Sequence, residues 1–514
     1  MKSSNRISVL LACTTVAALV LGACQPQIVE QERSASEQCP TVGGTLKLAR
    51  TADVADWYYN LDNPSIWAWP LVNLPLVKDN ADASALIGAA AERWEANADS
   101  TVFTFHLRPG LKFSNGADVT SADVLDSWQR AMDDPKSTLK SRIPEPKFEA
   151  PDAATFVVTL AQTYPAFLQA AVSGIGIYPA GSDPTEMSSN PISSGPFTVA
   201  EWRKGQVARL ARNQYYWNQP YPCLDEVQLM VVGDSATQAL QLQAGQIDVA
   251  QDLPPAQLAS LRNAPGVKIE VYPSLAEELI RLQRVTQPAF ADINVRKAMN
   301  YAIDKQAIAN VVYFGTATEM DSEMPRTLFY APQTPYSFNL DKAKELMASS
   351  SFPNGFSTQL LIASGDPVES GIATVVKDQL GKIGINVEIQ QVEAGTKLEM
   401  RSKRTFEMFL ASTSADQIDP ESFWEFCCAA GFGLGSAWTD YNNPSVIAQF
   451  AEVKQTAGDK RGELFAQMQK EVWDDAAQLY LVFIDAPIGL RSNVKGFTLP
   501  PTRHHFLDTV YKSE

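Results

Sequence analysis

Strands and helices alternate along this sequence, and this alternation constrains the fold more than any other feature. Residues 356–363 read as a strand, and apolar side chains then recur every three or four positions from Ile372 to Ile383. Gly384 ends that helical pattern, and residues 385–389 alternate with a period of two. A strand, a helix and a strand within about 35 residues form a βαβ unit, whose two strands belong to a parallel sheet.

The first half of the sequence contains elements of the same kinds. Residues 101–107 alternate apolar and polar side chains, which predicts a half-buried strand. Thr120 and Asp123 have the spacing of a capping box and predict the start of a helix. Residues 235–245 have helical spacing and precede another strand-like stretch. The fold class is therefore α/β, and 514 residues are too many for one compact core, so we expect at least two lobes.

The N-terminus has the pattern of an export signal. Two basic residues precede an apolar stretch, 7–20, that is too short to be a convincing membrane span, and small residues then lead to Cys24. This ending resembles the lipobox of bacterial lipoproteins, which implies removal of residues 1–23 and a lipid on Cys24. Residues 24–42 then read as a lipidated, flexible tether. We expect an exported protein anchored to the outer face of the cell membrane; an ordinary signal peptide is the alternative.

The net charge of the chain limits the kinds of molecule that it can bind. The formal net charge is −16, which disfavours nucleic acid and anionic lipid as partners and favours a soluble domain. We expect a monomer without a cofactor.

Four cysteines remain once Cys13 and Cys24 are set aside, and four cysteines allow three pairings. Cys39 and Cys223 each precede a strand-like segment by a few residues. If those two strands are parallel neighbours, their entry points lie side by side, and a Cys39–Cys223 disulfide is geometrically reasonable. The remaining two, at 427–428, would then be a vicinal pair, either oxidised or free.

An acidic cluster at 416–421 raises a chemical question. Asp416, Asp419 and Glu421 crowd together around the helix-breaking Pro420. Such a cluster could hold a metal, supply catalytic carboxylates, or offer one negative charge to a cationic ligand. Asp419 directly before Pro420 fits the capping position of a short helix.

Enzymatic and metal-binding motifs are missing from the sequence. It has three histidines, His106, His504 and His505, and no G-x-S-x-G, H-E-x-x-H, P-loop or G-x-G-x-x-G motif. The adjacent pair would face opposite ways on a strand, so direct metal binding is not expected. We therefore predict a binding protein rather than an enzyme.

Several blocks, in order and in register, resemble the peptide/nickel/oligopeptide class (family 5) of extracellular solute-binding proteins of ABC importers. They cover nearly the whole chain from Gly43 on. The blocks are "AERWEANADSTVFTFHLRPGLKFSNGADVTSADVLDSW" within 89–135, "NPISSGPFTVAEWRKGQVARLARNQYYWNQPYPCLDEVQLMVV" at 190–232, "LQLQAGQIDVA" at 240–250 and "INVRKAMNYAIDKQAI" at 293–308.

The resemblance implies a periplasmic-binding-protein-like (type II) fold with an extra inserted α/β domain. Lobe I would comprise 43–73, 196–272 and 488–514, lobe II the insertion 74–195, and lobe III 273–487. Two crossings near 272 and 488 would be hinges. Ligand would be trapped between lobes I and III, and the closed form would deliver it to an ABC permease.

In peptide-binding members of this class, the residue equivalent to Asp416 pairs with the α-amino group of the peptide. Thr413, Ser414 and Ala415 would offer hydrogen bonds to the peptide main chain, and Trp438 is a further candidate ligand residue. A transporter that accepts many peptide sequences must recognise the ammonium and the backbone amides that all peptides share.

The sequence departs from peptide-binding members at three positions. Thr413 stands where Trp is frequent, Leu74 where Glu is common, and Arg284 where Asn is usual. Arg281 and Arg284 could meet an anionic ligand or form a surface or hinge salt bridge. The alternatives to a peptide are an oligosaccharide or glycolipid stacked on Trp424, Trp438 and Tyr441, a metal chelate, or a regulatory role without transport.

Overall fold

The structure, a computed structural model, describes residues 39–58, 65, 67–134, 137, 139, 143–172, 174–326, 329–415, 417–421, 423–424 and 439–514. For residues 170–172 it gives the backbone alone. Within these ranges the strands form one large sheet and three smaller ones.

The strands are short except for two. They are β1 (Thr45–Arg50), β2 (Val77–Asp79), β3 (Leu86–Gly88), β4 (Ala91–Ala96), β5 (Val102–Leu107), β6 (Lys147–Asp152), β7 (Thr155–Thr159), β8 (Phe197–Arg203), β9 (Val207–Arg212), β10 (Glu226–Val231), β11 (Val249–Ala250), β12 (Val267–Leu282), β13 (Ala317–Glu319), β14 (Phe356–Ala363), β15 (Ile385–Val392), β16 (Met408–Ser414), β17 (Leu479–Arg491), β18 (Val494–Lys495) and β19 (Tyr511–Lys512).

The α-helices pack on the sheets and fill the connections between strands. They are α1 (Ser121–Asp133), α2 (Phe167–Val172), α3 (Pro184–Ser189), α4 (Ser235–Gln243), α5 (Leu258–Arg262), α6 (Ile293–Ala302), α7 (Lys305–Val311), α8 (Leu340–Ala348), α9 (Pro367–Gly381), α10 (Ala394–Lys403), α11 (Pro444–Val453) and α12 (Gly458–Asp474).

The predicted βαβ unit is confirmed. Strands β14 and β15 are parallel, with Phe356 opposite Ile385, and α9 connects them. Asp366 caps α9 by accepting from the backbone N–H groups of Val368 and Glu369. Gly355 lies at φ +80°, and a Cβ there would approach the Gly384 carbonyl oxygen to 1.9 Å, so only glycine fits at this contact.

The two elements predicted near residues 101–133 are also confirmed. Strand β5 buries Phe103, Phe105 and Leu107 on one face. The backbone N–H and hydroxyl of Thr120 donate to the Asp123 carboxylate at 2.7 and 2.8 Å, which is the side-chain half of the predicted capping box.

The large sheet is mixed and runs in the order β15-β14-β16-β12-β17-β11-β1-β10-β9-β8, with β13 also paired to β17. The two long strands, β12 and β17, are neighbours in the middle of this order and connect the two halves of the sheet. Strand β12 is partly exposed as far as Pro273 and buried from Ser274 on. Its register with β17 shifts between Tyr272 and Ala276. The lobe boundaries near 272 and 488 therefore fall on these two strands, and they stay a prediction.

The structure contains the Cys39–Cys223 disulfide. Strands β1 and β10, which follow the two cysteines, are parallel neighbours with Thr45 opposite Glu226. The prediction of this disulfide depends on that parallel pairing, which the structure has.

Candidate functional site

One candidate wall of a ligand site lies at the carboxyl ends of β1, β10 and β11. These three strands are parallel, and in open α/β sheets ligands bind beyond the carboxyl ends of the strands. Arg50 is the last residue of β1, and the loop after β11 contributes Asp252. We call the group formed by Arg50, Trp67, Asp252, Arg503 and His505 the β1 site.

Arg50 is the central side chain of the β1 site. It extends the face of β1 that buries Leu46 and Leu48, and its guanidinium lies over the Trp67 ring, 4.2 Å from the centroid. Its Nε is 3.8 Å from the Asp252 carboxylate. Burial lowers the pKa of Arg50, Asp252 opposes that change, and the charge of Arg503 adds to it.

His505 lies beneath this arginine as a neutral ring. Burial, followed by the charges of Arg50 and His504, lowers the pKa of His505 to about 3. Its Nε2 is 2.8 Å from Nε2 of Gln251, and its ring packs edge-on against Trp67.

His504 points to a different partner, since its Nδ1 is 3.4 Å from the Asp79 carboxylate. The two histidines thus diverge as expected, although their segment is not a strand. Across the residues that the structure describes, no three His, Cys, Asp or Glu side chains group as metal ligands would.

The second wall is the end of β16. Strand β16 pairs with β12 along its whole length, with Ala276 opposite Ser414. On its other side it pairs with β14 at Met408 and Phe409 only. Within the described ranges no strand covers that side of residues 410–414, which we call the open edge of β16.

Leu275 brings the two walls together. Its backbone N–H donates to the Pro501 carbonyl at 3.4 Å, in the segment that carries Arg503 and His505. Its own carbonyl accepts from the Ala415 N–H at 3.0 Å, directly after β16. The β1 site and the open edge of β16 therefore meet at one residue of β12.

The acidic cluster behind β16 is largely engaged in an ion pair. Asp419 caps the following turn, as predicted, by accepting from the Glu421 N–H at 2.9 Å. Both carboxylates also accept from Arg461 of α12, with Nη2 at 3.0 Å from Asp419 and 3.1 Å from Glu421. Burial lowers the pKa of Arg461, but the pairing with Asp419 and Glu421 outweighs it and raises the pKa overall.

The two arginines of β12 and the following turn do not form a surface anion site. Arg284 donates to the backbone carbonyls of Leu282, Thr439 and Ala477, and burial lowers its pKa to about 10. Arg281 is 1% exposed and donates to the Thr413 hydroxyl at 3.3 Å. Burial excludes a surface salt bridge for Arg281, and the alternative of a hinge salt bridge stays a prediction for both arginines.

Sequence reasoning missed the buried acids around Arg281. Glu277 is fully buried, and neither of its carboxylate oxygens has a hydrogen-bond partner in the described part of the chain. Burial and then the charge of Glu323 raise the pKa of Glu277 well above its usual value, and Arg281 only partly offsets this. The available signal was the run of two glutamates between the apolar residues Leu275-Ala276 and Leu279-Ile280.

Comparison with known proteins identifies the class. The family model of bacterial extracellular solute-binding proteins, family 5 Middle, matches residues 85–432, well over half of the chain. The chain belongs to this family. It is a family 5 solute-binding protein of ABC importers, and its neighbours among solved structures share the type II periplasmic-binding-protein fold.

Two curated relatives of this solute-binding protein align over most of their length. The probable D,D-dipeptide-binding periplasmic protein DdpA of Escherichia coli K12 is 28% identical over 471 residues, covering 89% of this chain and 90% of the relative. The glutathione-binding protein GsiB of Salmonella typhi is 27% identical over 446 residues, covering 82% and 85%.

Two solved structures show the same architecture. DppA of Helicobacter pylori in complex with the peptide STSA has a TM-score of 0.75 at 26% identity, with 92% of this chain and 99% of that chain covered. CtaP of Listeria monocytogenes has a TM-score of 0.84 at 23% identity, covering 92% and 100%, and shows the fold alone.

Several predicted site residues of this solute-binding protein lie outside the described residues. They are Cys24, Asp416, Cys427, Cys428 and Trp438. Of the two other aromatic residues predicted as a sugar platform, Trp424 is 0% exposed and Tyr441 is 6% exposed, so neither offers an open ring face. No helix among the residues the structure covers is long and apolar enough to span a membrane.

Proposed function

We propose that this solute-binding protein captures short peptides between lobes I and III and delivers them to an ABC permease. The open edge of β16 carries the proposal. A strand edge without a neighbouring strand presents backbone N–H and C=O groups, and an extended peptide can pair with them as an added strand. Thr413, Ser414 and Ala415 end this edge and are the proposed main-chain contacts.

Asp416 supplies the charge that this mode of binding requires. It follows Ala415 directly in the sequence, and we propose its carboxylate as the partner of the amino group of a peptide that pairs with the open edge. An ammonium group and a carboxylate in a partly dehydrated cleft form a strong, charge-assisted hydrogen bond. The identities of the relatives support this choice, since DdpA is a probable dipeptide binder and the Helicobacter pylori DppA structure contains a peptide.

The proposed location follows from the N-terminal sequence. Removal of residues 1–23 and lipidation of Cys24 would anchor a monomer to the outer face of the cell membrane, near the permease. Closure of lobes I and III about β12 and β17 would then be driven by ligand contacts available only in the closed form. The register shift between Tyr272 and Ala276 supports β12 as a hinge.

The deciding experiment compares free and N-acetylated peptides. Calorimetric titration of the mature protein is expected to give binding for free tri- and tetrapeptides and none for their N-acetyl forms. Asp416→Asn should weaken the binding of free peptides by about 3–5 kcal/mol, because it leaves a buried ammonium unpaired. A micromolar ligand would then bind in the millimolar range or more weakly.

Asp378→Asn is the matched control, because Asp378 is an exposed carboxylate on α9 that pairs with Lys382 just beyond the helix. Its affinity should equal that of the wild-type protein. Equal affinity of the wild-type protein for free and acetylated peptides would show that Asp416 has another role. Mass analysis of the molecules that co-purify with the protein would reveal a sugar or chelate in place of peptides.

A further inference from the structure

A cluster of buried polar side chains lies on one face of β12, directly beside β16. Glu277 and Arg281 share that face, because residues four positions apart on a strand point the same way. Thr413, which belongs to the open edge of β16, is opposite Glu277. We call Glu277, Arg281, Thr413, Gln478 and Glu323 the β12 cluster. Each of these residues is at most 8% exposed.

Hydrogen bonds connect the open edge of β16 to the interior of the β12 cluster. Arg281 donates from Nη2 to the Thr413 hydroxyl at 3.3 Å and from Nη1 to the Gln478 side-chain oxygen at 3.4 Å. The Gln478 amide N–H donates to the Glu323 carboxylate, which also hydrogen-bonds with the Tyr480 hydroxyl. Because these groups are buried, a charge that arrives at the open edge is poorly screened from the carboxyl groups of the cluster.

The two carboxyl groups of the β12 cluster have different surroundings. Glu323 accepts hydrogen bonds, which favour an ionised carboxylate, whereas both oxygens of Glu277 lack a hydrogen-bond partner among the described residues. Arg281 is the one positive charge beside these two acids, so ionisation of both would leave a buried negative charge. Glu277 is therefore the group of the pair that holds a proton.

The charged and titratable groups around Glu277 come from several segments. Arg281 and Glu278 act on it from its own strand, and Glu323 acts on it from the segment after β13. Tyr480 of β17 stays protonated, because burial and the charge of Glu323 raise its pKa well above the usual value. Arg401 of α10 acts on Arg281 and is the remaining charge near the cluster in the described part of the chain.

Glu278 is the second acid that holds a proton, and it needs a separate control. It lies on the opposite face of β12 from Thr413, and its carboxylate accepts from the Tyr313 hydroxyl at 2.8 Å. Burial raises its pKa to about 7. A proton released when a ligand binds could come from either glutamate, and substitution of each one distinguishes them.

We infer that peptide binding at the open edge of β16 releases the proton that Glu277 holds, so that the affinity for peptide rises with pH. The O–H bond of the carboxyl group breaks, the oxygen keeps the electron pair, and the buffer takes the proton. The inference rests on the proposed function, because the peptide ammonium paired with Asp416 is the charge that drives the release.

The expected size of the coupling follows from the separation of the charges. Asp416 is three residues after Thr413, and three residues of extended chain span about 10 Å. A unit positive charge about 10 Å away, at an effective dielectric constant of about 20, favours ionisation of a carboxyl group roughly tenfold. By linkage, the affinity for peptide should rise by the same factor across the pH range in which Glu277 titrates.

Calorimetric titration of the mature protein with a free tripeptide, between about pH 5.5 and about pH 8.5, measures this coupling. The affinity of the wild-type protein, divided by that of Glu277→Gln, is expected to rise with pH by roughly tenfold. The peptide amino group titrates in both experiments, so the ratio removes its contribution. Binding enthalpies in two buffers of different ionisation enthalpy should show the release of more protons from the wild-type protein.

Glu323→Gln provides a second test that leaves Glu277 in place. It removes the negative charge that raises the pKa of Glu277, so the rise in affinity should move to lower pH. This variant carries the test if Glu277→Gln does not fold. Glu278→Gln, on the opposite face of β12, should keep the rise. Glu399→Gln, which removes an exposed carboxylate paired with Lys403, should match the wild-type protein.

The outcomes separate the inference from the function beneath it. An affinity ratio that stays constant with pH, while free peptides still bind, overturns the proton coupling and leaves peptide binding intact. A rise that survives in Glu277→Gln and disappears in Glu278→Gln assigns the proton to Glu278 and also overturns the inference. If no free peptide binds at any pH, the proposed function is overturned and the coupling falls with it.

Discussion

Two groups of buried acids, one around Arg461 and one around Arg281, have opposite kinds of surroundings. Asp419 and Glu421 share the guanidinium of Arg461, and each forms a hydrogen-bonded ion pair with it. Glu277 lies near Arg281, yet neither of its oxygens has a hydrogen-bond partner among the described residues. In the first group, one buried guanidinium donates hydrogen bonds to both carboxylates. In the second, burial raises the pKa of Glu277 and so favours its neutral form.

The comparison shows that proximity to an arginine does not fix the state of a buried acid. The hydrogen bonds decide it, since a buried charge without them costs several kcal/mol. Three measurements of stability test this difference.

The largest effect is expected from Arg461→Ala. The substitution leaves Asp419 and Glu421 buried without their cation and should destabilise the protein by about 3–5 kcal/mol. Urea denaturation at pH 7 measures this loss. Arg209→Ala, which breaks an exposed pair, should cost far less, because solvent screens the two charges. Equal losses for the two variants would contradict the assignment of Arg461 as a buried anchor.

The next effect is a dependence of stability on pH through Glu278, the neighbour of Glu277 on the opposite face of β12. Burial raises the pKa of Glu278 to about 7, although a hydrogen bond from Tyr313 at 2.8 Å opposes it. The folded state therefore holds this proton more tightly than the unfolded chain. The stabilisation is complete below about pH 4.5 and declines as the pH rises to about 7.

Denaturation of the wild-type protein and Glu278→Gln across this pH range isolates that contribution. The difference between their unfolding free energies should change by about 3 kcal/mol, at about 1.4 kcal/mol per pH unit. A difference that stays constant with pH would mean that Glu278 has an ordinary pKa.

The smallest effect is expected from Glu277→Gln. An amide has the size of a neutral carboxyl group, so the unfolding free energy at pH 7 should change by less than about 1 kcal/mol. A loss of 3 kcal/mol or more would show instead that Glu277 is ionised and paired with Arg281.

Local patterns predicted the elements of this fold well. The βαβ unit, strand β5 and the capping box of α1 each depend on residues a few positions apart. The local sequence therefore contains all the residues needed to predict them. The Cys39–Cys223 pairing needed one further assumption, the parallel pairing of β1 and β10, and the structure has that pairing.

The contacts of the site were harder to predict because they join distant segments. Arg461 meets Asp419 from 42 positions along the chain. Arg50, Trp67 and His505 come from three segments that no periodicity connects. An arginine at the end of a strand has the same local sequence whether its side chain lies in solvent or over an indole ring. Which environment it has depends on the order of the strands in the sheet, because that order brings the distant segments together.

If Cys24 carries the proposed lipid, the parallel pairing of β1 and β10 also sets the side of the domain from which the tether leaves. The disulfide joins the chain just before the amino ends of these strands, whereas Arg50 is the sixth and last residue of β1. The tether from Cys24 would therefore leave the domain near the amino end of β1, about 20 Å from the carboxyl end of the strand where Arg50 lies. A chain of 15 residues, the separation of Cys24 and Cys39, spans at most about 50 Å when fully extended. That length would allow the domain to rotate until the carboxyl ends of β1 and β10 face the membrane.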